Sequence, residues 1–279
     1  MTTSTKTQHK STPLNCISIR NLSRLIGTPA APVVLDLRTR EDFDSDPTIL
    51  PTARHHPFDP VADLVPDLSG QRVVVYCQKG LKISEGGAAL LAGRGIAAEY
   101  LEGGHFGWRD AGQPLIPVNK IPPGPVTGRT RWVTRIRPKI DRIACPWLIR
   151  RFVDPRAEFM FVSASNVLPV AERYQATPFD MEDVFWSHRG EQCTFDTMID
   201  EFKLAHEPLS RLAQIVRGAD TDRLDLAPQC AGLLAASLGL SRMHTDDHEQ
   251  LDAGMHLYDA FYRWCRDGTG EKHEWPGPG

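Results

Sequence analysis

The sequence predicts an α/β domain built on a parallel sheet, followed by a separate α+β, mainly helical domain. Two observations support the first domain: short β-branched strands alternate with helical segments up to residue 117, and a cysteine ends the central strand. A third observation separates the two domains, because prolines and glycines crowd residues 114–130. The length of 279 residues also favours about two domains.

These signals define five regions along the chain. We expect a disordered tail over residues 1–15, the first domain over 16–118, a linker over 119–130, the second domain over 131–268 and a second disordered tail over 269–279. Ser, Thr and Lys dominate the first tail, which lacks the apolar core of an export signal.

Composition excludes several classes of partner. The formal net charge of -3 gives no overall attraction to nucleic acid or to an anionic membrane. The longest apolar stretch, residues 231–240, is shorter than the ~20 residues that span a bilayer, and it predicts a buried helix instead. Six cysteines without CxxC spacing predict a reduced, cytoplasmic protein.

Hydrophobic periodicity predicts the elements of the first domain. Apolar residues at helical spacing indicate a short helix over 17–26, and the chain then alternates. We expect strands over 33–37, 73–76 and 98–101, an extended segment over 49–53, a turn or short helix at 41–43, and helices over 57–68 and 84–92. Ligands of such parallel sheets bind at the carboxyl ends of the strands.

Cys77 stands at the carboxyl end of the strand over 73–76, and a loop leads from it into the next helix. Backbone N–H groups in such a loop and the positive end of the helix both favour a thiolate over a thiol. Lys79 and Lys82 act in the same direction. The alternative is a buried cysteine that merely ends a core strand.

Five short motifs together resemble a single rhodanese domain, the sulfurtransferase fold. They are Asp36-Leu-Arg38, Glu41-Asp-Phe43, Cys77-Gln-Lys-Gly80, Leu101-Glu-Gly-Gly104 and Trp108. Two positions depart from the family pattern: Lys82 replaces the usual arginine, and Ile49-Leu-Pro-Thr-Ala53 replaces a His-Ile-Pro-Gly-Ala segment. Lysine keeps the charge of arginine but not its bidentate geometry.

The resemblance implies a sulfurtransferase that needs no cofactor. A Cys77 thiolate would attack the outer sulfur of a small anionic donor such as thiosulfate, and a thiol, cyanide or partner protein would accept the sulfur from the persulfide. The six-residue loop from Cys77 to Lys82 is one residue shorter than in the related phosphatases, which favours sulfur over phosphate. The implied donor-binding residues are Gln78, Lys79, Gly80, Leu81, Lys82, Asp36 and Arg38. For Asp36 and Arg38 the alternative is a structural ion pair.

The second domain alternates less and becomes helical. We expect strands over 131–137 and 157–162, an extended segment over 182–187, and helices through 145–152, 166–174, 194–202, 209–216, 230–240 and 251–265. Residues 139–152, 187–190, 216–225 and 258–264 resemble the carboxy-terminal domain of the chromate-resistance family ChrB. This resemblance implies a link to chromate resistance and makes chromate a candidate ligand.

Polar residues of this half permit three kinds of structure. The first is a metal site for Zn, Mn or non-haem Fe, which Cys145 or Cys193 would bias toward zinc, with the candidate ligands His188, Asp141, Asp220 and Asp222. The second is an oxyanion pocket formed by Arg142, Arg189 and Arg217. The third is a network of Arg–Asp pairs and helix caps. His244 and His248 form a weaker candidate ligand pair, four residues apart on one helical face.

Two functions from different classes follow. The first is an enzyme that forms a persulfide on Cys77 and whose second domain serves resistance to chromate or another oxyanion. The second is a sensor or accessory protein whose second domain binds chromate or a metal, with a regulatory or inactive first domain.

Overall fold

The computed structural model describes residues 15–123 and 129–271. Two compact units interleave along this chain. Of the described residues, the first unit contains those up to Arg24, Pro32–Ser45 and Arg54–Gly112, and the second contains Leu25–Ala31, Asp46–Ala53 and those from Gln113 onward. The contiguous domain boundaries drawn from the sequence stay a prediction. The predicted tails and the middle of the predicted linker lie largely outside the described residues.

The described strands are mostly short. In chain order they are β1 (Cys16–Ile17), β2 (Val33–Asp36), β3 (Thr48–Ile49), β4 (Arg54–His55), β5 (Arg72–Tyr76), β6 (Ala97–Leu101), β7 (Ile116–Pro117), β8 (Arg131–Arg135), β9 (Glu158–Val162) and β10 (Thr177–Pro178).

The described α-helices are longer in the second unit. They are α1 (Ile19–Leu25), α2 (Arg40–Ser45), α3 (Val65–Leu68), α4 (Lys82–Ala92), α5 (Gly104–Asp110), α6 (Asp141–Leu148), α7 (Val167–Tyr174), α8 (Thr194–Glu201), α9 (Glu207–Asp220), α10 (Cys230–Met243) and α11 (Asp247–Arg263). Tighter 3₁₀ turns cover Asp59–Leu64, Val118–Lys120 and Ala164–Asn166, and π-helical turns cover Ile149–Val153 and Trp264–Gly268. No helix in the described ranges combines the length and apolarity needed to cross a membrane.

The first unit is a five-stranded sheet in the order β1-β6-β5-β2-β4, and all of its pairs are parallel. Successive residues of β2 and β5 are buried, as expected for strands covered on both faces. One face packs against α4 through Ala88 and Leu91. Each fully buried Val or Leu of this core contributes about 1.5–3 kcal/mol. The predicted parallel-sheet α/β fold is confirmed.

The second unit has a small sheet and a helical remainder, which confirms a mainly helical second half. Its parallel sheet has the order β10-β8-β9, and β3 pairs with β7 in an antiparallel ribbon. Large aromatic side chains fill the core; the ring of Trp132 lies edge-on to those of Phe179 and Trp186.

Two sequence predictions for the second unit are wrong. Helix α10 is not buried all round, because only Cys230, Leu233, Ser237 and Ser241 are buried, whereas Met243 is 74% exposed. The prediction failed because the apolar composition does not show which face is buried. The buried face is a narrow stripe of mostly small residues at three- and four-residue spacing. Residues 182–187 form turns rather than an extended strand, and Asp183 has a φ of 59°. The contact to Phe179 is an isolated bridge at Trp186.

Candidate functional site

Cys77 lies where β5 ends, and its loop closes onto the first turn of α4. The residue is only 5% exposed. Its Sγ lies 3.3 Å from Oγ of Ser84, whose hydroxyl also bonds the carbonyl of Leu81 at 3.1 Å. The sulfur therefore sits inside the loop, within hydrogen-bond distance of a hydroxyl group in the first turn of the helix that follows.

Two glycines allow the Cys77 loop to pack against the start of α5. Gly80 and Gly104 have φ angles of 67° and 57°, which favour glycine. A Cβ on Gly104 would lie 2.3 Å from the carbonyl oxygen of Cys77 and 2.4 Å from the nitrogen of Gly80. The backbone N–H groups of His105 and Phe106 donate to the carbonyls of Cys77 and Gln78 at 2.9 and 3.0 Å. The loop is thus fixed from outside as well as from within.

The environment of Cys77 lowers the pKa of its thiol. Burial alone raises this pKa, but hydrogen bonds from the Ser84 hydroxyl and from the backbone N–H groups of Leu81, Ser84 and Lys79 outweigh burial. In Cys145 and Cys193, by contrast, burial and nearby carboxylates raise the thiol pKa well above its ordinary value. Cys77 is therefore much better suited to form a thiolate than these two thiols.

The other predicted donor-binding residues fall into two groups. Lys79, Leu81 and Lys82 are exposed and Gln78 is half-buried, so these residues form the outer part of the loop. Asp36 and Arg38 are buried instead, and Nη2 of Arg38 lies 2.6 Å from Oδ2 of Asp36. This bidentate pair joins the last residue of β2 to the segment after it, beside the end of β5. Its burial favours the structural role over contact with a donor.

The lowered thiol pKa predicts the pH dependence of Cys77 alkylation. Because the pKa of the Cys77 thiol is lowered, the thiolate is still present at pH values below the ordinary pKa of cysteine. Alkylation should therefore decline only as the pH falls through the lowered pKa. Peptide mass spectrometry after iodoacetamide treatment across a pH series measures this midpoint. Ser84→Ala removes a hydrogen-bond donor and should raise the midpoint, whereas Ser69→Ala, at an exposed position, should not. A wild-type midpoint at or above the ordinary value would contradict the assignment.

The second unit gathers an Asp–His cluster from four chain segments, formed by Asp141, Asp180, His188 and Asp220. Nε2 of His188 lies 3.4 Å from Asp141 Oδ2, 3.5 Å from Asp180 Oδ1 and 3.3 Å from Asp220 Oδ2. Asp141 begins α6, Asp180 follows β10 and Asp220 ends α9. One ligand atom each from Asp141, His188 and Asp220 lie within 4.8 Å of one another, close enough to share a cation.

Neighbouring groups hold the carboxylates of the cluster in place. The two oxygens of Asp141 accept the backbone N–H groups of Thr194 and Phe195, in the first turn of α8, at 2.6 and 3.3 Å. Asp180 accepts the hydroxyl of Thr194 at 2.9 Å. The guanidinium groups of Arg135 and Arg142 lie 3.2 and 3.4 Å from the other oxygen of Asp180.

Mutual repulsion and burial perturb the titration of this cluster. Hydrogen bonds to Asp141, Asp180 and Asp220 raise the pKa of His188 to about 12. Burial, reinforced by the charge of Asp220, raises the pKa of Asp141 to about 7. Burial also opposes ionisation of Asp180, but hydrogen bonds from His188 and Thr194 and the charges of Arg142 and Arg135 lower its pKa overall. Opposed pKa shifts of this kind occur both at functional sites and in structural ion-pair networks.

The structure brings together three of the four predicted metal ligands. His188, Asp141 and Asp220 converge, but Asp222 does not join them. It follows the end of α9, is exposed, and has a φ of 57°. Sequence reasoning missed Asp180, whose one available signal was its place two residues after a short strand at a sheet edge. Among the described residues, the cluster contains neither Cys145 nor Cys193, so the sequence argument for a zinc–thiolate site is lost.

The other candidate sites of the second half are not assembled as expected. Each arginine of the expected oxyanion pocket faces a carboxylate: Arg142 faces Asp180, Arg189 faces Glu201 and Arg217 faces Asp196. These pairs agree with the alternative of an Arg–Asp network.

The expected histidine pair also fails. His244 follows the end of α10 and His248 lies in the first turn of α11, so the two do not share one helical face.

Comparison with known proteins agrees with both resemblances. Residues 18–111 match the family model of the rhodanese-like domain, and residues 132–265 match that of ChrB, C-terminal domain. Protein ChrB of Cupriavidus metallidurans is 30% identical over 155 residues, which cover 54% of this chain and 46% of the relative. The match thus spans about half the length of that curated relative. The two family assignments made from the sequence are confirmed.

Solved structures similar to this chain include a rhodanese-like domain protein from Staphylococcus aureus. It is 25% identical, with a TM-score of 0.30, and the match covers 34% of this chain and 91% of that one. A rhodanese-related protein from Thermoplasma volcanium is 20% identical, with a TM-score of 0.31, and the match covers 37% and 97% of the two chains.

Proposed function

We propose that this chain, which carries a rhodanese-like domain followed by a ChrB C-terminal domain, is a sulfurtransferase that forms a persulfide on Cys77. The observation that carries the proposal is the buried Sγ of Cys77, which Ser84 and the loop amides surround with hydrogen-bond donors and whose thiol pKa they lower. A buried thiolate held in this way is an activated nucleophile.

Sulfur transfer takes two displacement steps. The Cys77 thiolate attacks the outer sulfur of thiosulfate, a sulfur–sulfur bond forms, and the bond to the sulfite group breaks so that sulfite leaves with its electron pair. A thiolate or cyanide then attacks the outer sulfur of the persulfide, and the electron pair of the broken bond returns to Cys77. The same loop N–H groups that stabilise the thiolate stabilise the persulfide anion.

The exposed side chains of the loop suit an anionic donor. Lys79 and Lys82 bring two positive charges to the rim around Cys77. The other three loop residues, Gln78, Gly80 and Leu81, carry no negative charge that would oppose them. Lysine acts as a point charge rather than a bidentate fork, so the rim attracts small anions with little demand on their shape.

Cys77→Ser should lower the rate of thiocyanate formation from thiosulfate and cyanide at least about a hundredfold, because the oxygen nucleophile cannot form the persulfide. Mass spectrometry of the intact wild-type protein after thiosulfate treatment should also show one added sulfur atom on Cys77. Cys16→Ser, which removes a half-buried cysteine of the same unit, is the matched control and should stay active. Equal activity of wild type and Cys77→Ser would falsify the proposal.

The second unit connects this chemistry to resistance against chromate or a related oxyanion. The support is the similarity of residues 132–265 to the ChrB family. A competing proposal makes the chain a sensor or accessory protein with a regulatory first unit. A folded wild-type chain that reacts with iodoacetamide at Cys77 but forms no thiocyanate would favour that alternative.

A further inference from the structure

We propose that the Asp–His cluster of the second unit binds one divalent first-row transition-metal ion through Nε2 of His188, Oδ2 of Asp141 and Oδ2 of Asp220. This site is separate from Cys77 and needs no sulfur chemistry. Three protein ligands leave at least one coordination position for water or a small oxyanion, as in catalytic rather than structural metal sites.

The distances in the cluster already fit a metal ion. Two ligands bound at about 2.1 Å in tetrahedral geometry lie about 3.4 Å apart. Nε2 of His188 lies 3.4 Å from Oδ2 of Asp141 and 3.3 Å from Oδ2 of Asp220. One ligand atom from each of the three side chains lies within 4.8 Å of the other two, so an inward shift of the carboxylates completes the triangle.

Hydrogen bonding alone does not account for this convergence. Nε2 of His188 carries at most one proton, yet three carboxylate oxygens lie within 3.5 Å of it. One N–H can donate well to one oxygen, so the other two carboxylate oxygens lie near Nε2 without a good hydrogen bond from it. A divalent cation there satisfies the nitrogen and both carboxylates at once, and it offsets their repulsion.

The surroundings of the ligands resemble the supporting partners of a metal site. Asp141 is 1% exposed, and the N-terminus of α8 holds both of its oxygens. Asp180 lies outside the set of three ligand atoms, and Arg135, Arg142 and Thr194 engage it. We assign Asp180 as an outer carboxylate, held by these three side chains, that adds negative charge beside the ligands without binding the ion.

The ligand set also indicates the kind of metal. An imidazole nitrogen with two carboxylate oxygens suits manganese, iron or zinc, and the imidazole disfavours calcium and magnesium. No thiolate contributes among the described residues. The side chain of His188 is 40% exposed, so solvent reaches the cluster at this ligand.

Metal analysis of protein purified without a histidine tag tests this site. After incubation with Mn²⁺, Fe²⁺ or Zn²⁺ and removal of free metal, we expect about one equivalent per chain for one of these ions. Co²⁺ serves as the probe of geometry, because its visible absorption reports the coordination number and nitrogen ligation. His188→Gln and Asp220→Asn should each weaken binding at least about a hundredfold.

Asp222→Asn is the matched control, because Asp222 is two residues from Asp220, is exposed and lies outside the ligand set. It should bind metal as the wild type does, and so should Cys77→Ser, which separates this test from that of sulfur transfer. Circular dichroism checks that each variant folds. Of the two ligand variants, His188→Gln should disturb the core least, because the side chain of His188 is half-exposed. Less than a tenth of an equivalent of every metal in the wild type would overturn the proposal, as would undiminished binding by folded His188→Gln or loss of binding in Asp222→Asn.

Discussion

Gly104→Ala is expected to lower the rate of thiocyanate formation about a hundredfold, although the residue carries no reactive group. The added Cβ would lie 2.3 Å from the carbonyl oxygen of Cys77 and 2.4 Å from the nitrogen of Gly80. Both atoms belong to the backbone, so neither can move aside as a side chain would. Relief of the clash requires the Cys77 loop to move away from α5, which displaces the sulfur from its hydrogen-bond donors.

The control for this variant is Gly112→Ala. Gly112 has a φ of 67°, close to the 57° of Gly104, and a Cβ there meets no atom within 4 Å. In both variants an alanine in left-handed backbone costs roughly 1 kcal/mol of stability, but only the Cβ of Gly104→Ala clashes with the Cys77 loop. Turnover measurements together with the alkylation midpoint of Cys77 distinguish the two. Equal losses of activity in both variants would show that left-handed backbone, not loop displacement, is responsible.

Arg38→Met is expected to destabilise the first unit by about 3–5 kcal/mol. It removes the guanidinium group that pairs with Asp36. The Asp36 carboxylate is 0% exposed, so its negative charge would remain buried without a positive partner. Hydrogen exchange of peptides from β2 and β5 in increasing urea measures this loss. Adding Asp36→Asn should recover much of it, because the neutral amide still accepts the backbone N–H of residue 38.

The matched control for Arg38→Met is Arg40→Met, two residues further along. Arg40 pairs with Asp44 across one helical turn, with side chains 85% and 57% exposed. Loss of such a solvated pair costs about 0.3–0.5 kcal/mol. Similar effects of the two substitutions would show that the Asp36–Arg38 pair contributes no more than a surface ion pair.

The Cys77 site could be predicted from the sequence because its parts are local. Strand, loop and helix are consecutive, so Cys77, Gly80 and Ser84 meet through chain geometry alone. The packing of Gly104 against the Cys77 loop is less local, and only the family resemblance indicated that segment. The burial of Arg38 depends on packing, and the sequence left its role open between donor binding and an ion pair.

The Asp–His cluster shows where sequence reasoning reaches its limit. Its members come from four segments, and spacing along the chain does not say which carboxylates meet. Asp220 and Asp222 are two residues apart, yet the end of α9 directs only Asp220 into the cluster. Asp180 carries no motif, and its place depends on how β10 packs beside β8. The same limit explains the error at α10, where composition gave no information about which face is buried.

The packing of Gly104 beneath the Cys77 loop also limits how the length of this loop could change during evolution. The family resemblance attributes one more residue to the loop of the related phosphatases, and an insertion looks easy when the loop is considered alone. Here the carbonyls of Cys77 and Gln78 are both bonded to the first turn of α5. A longer loop would break this attachment unless α5 began later as well. Two distant segments would have to change together, so the six-residue length is protected against single insertions.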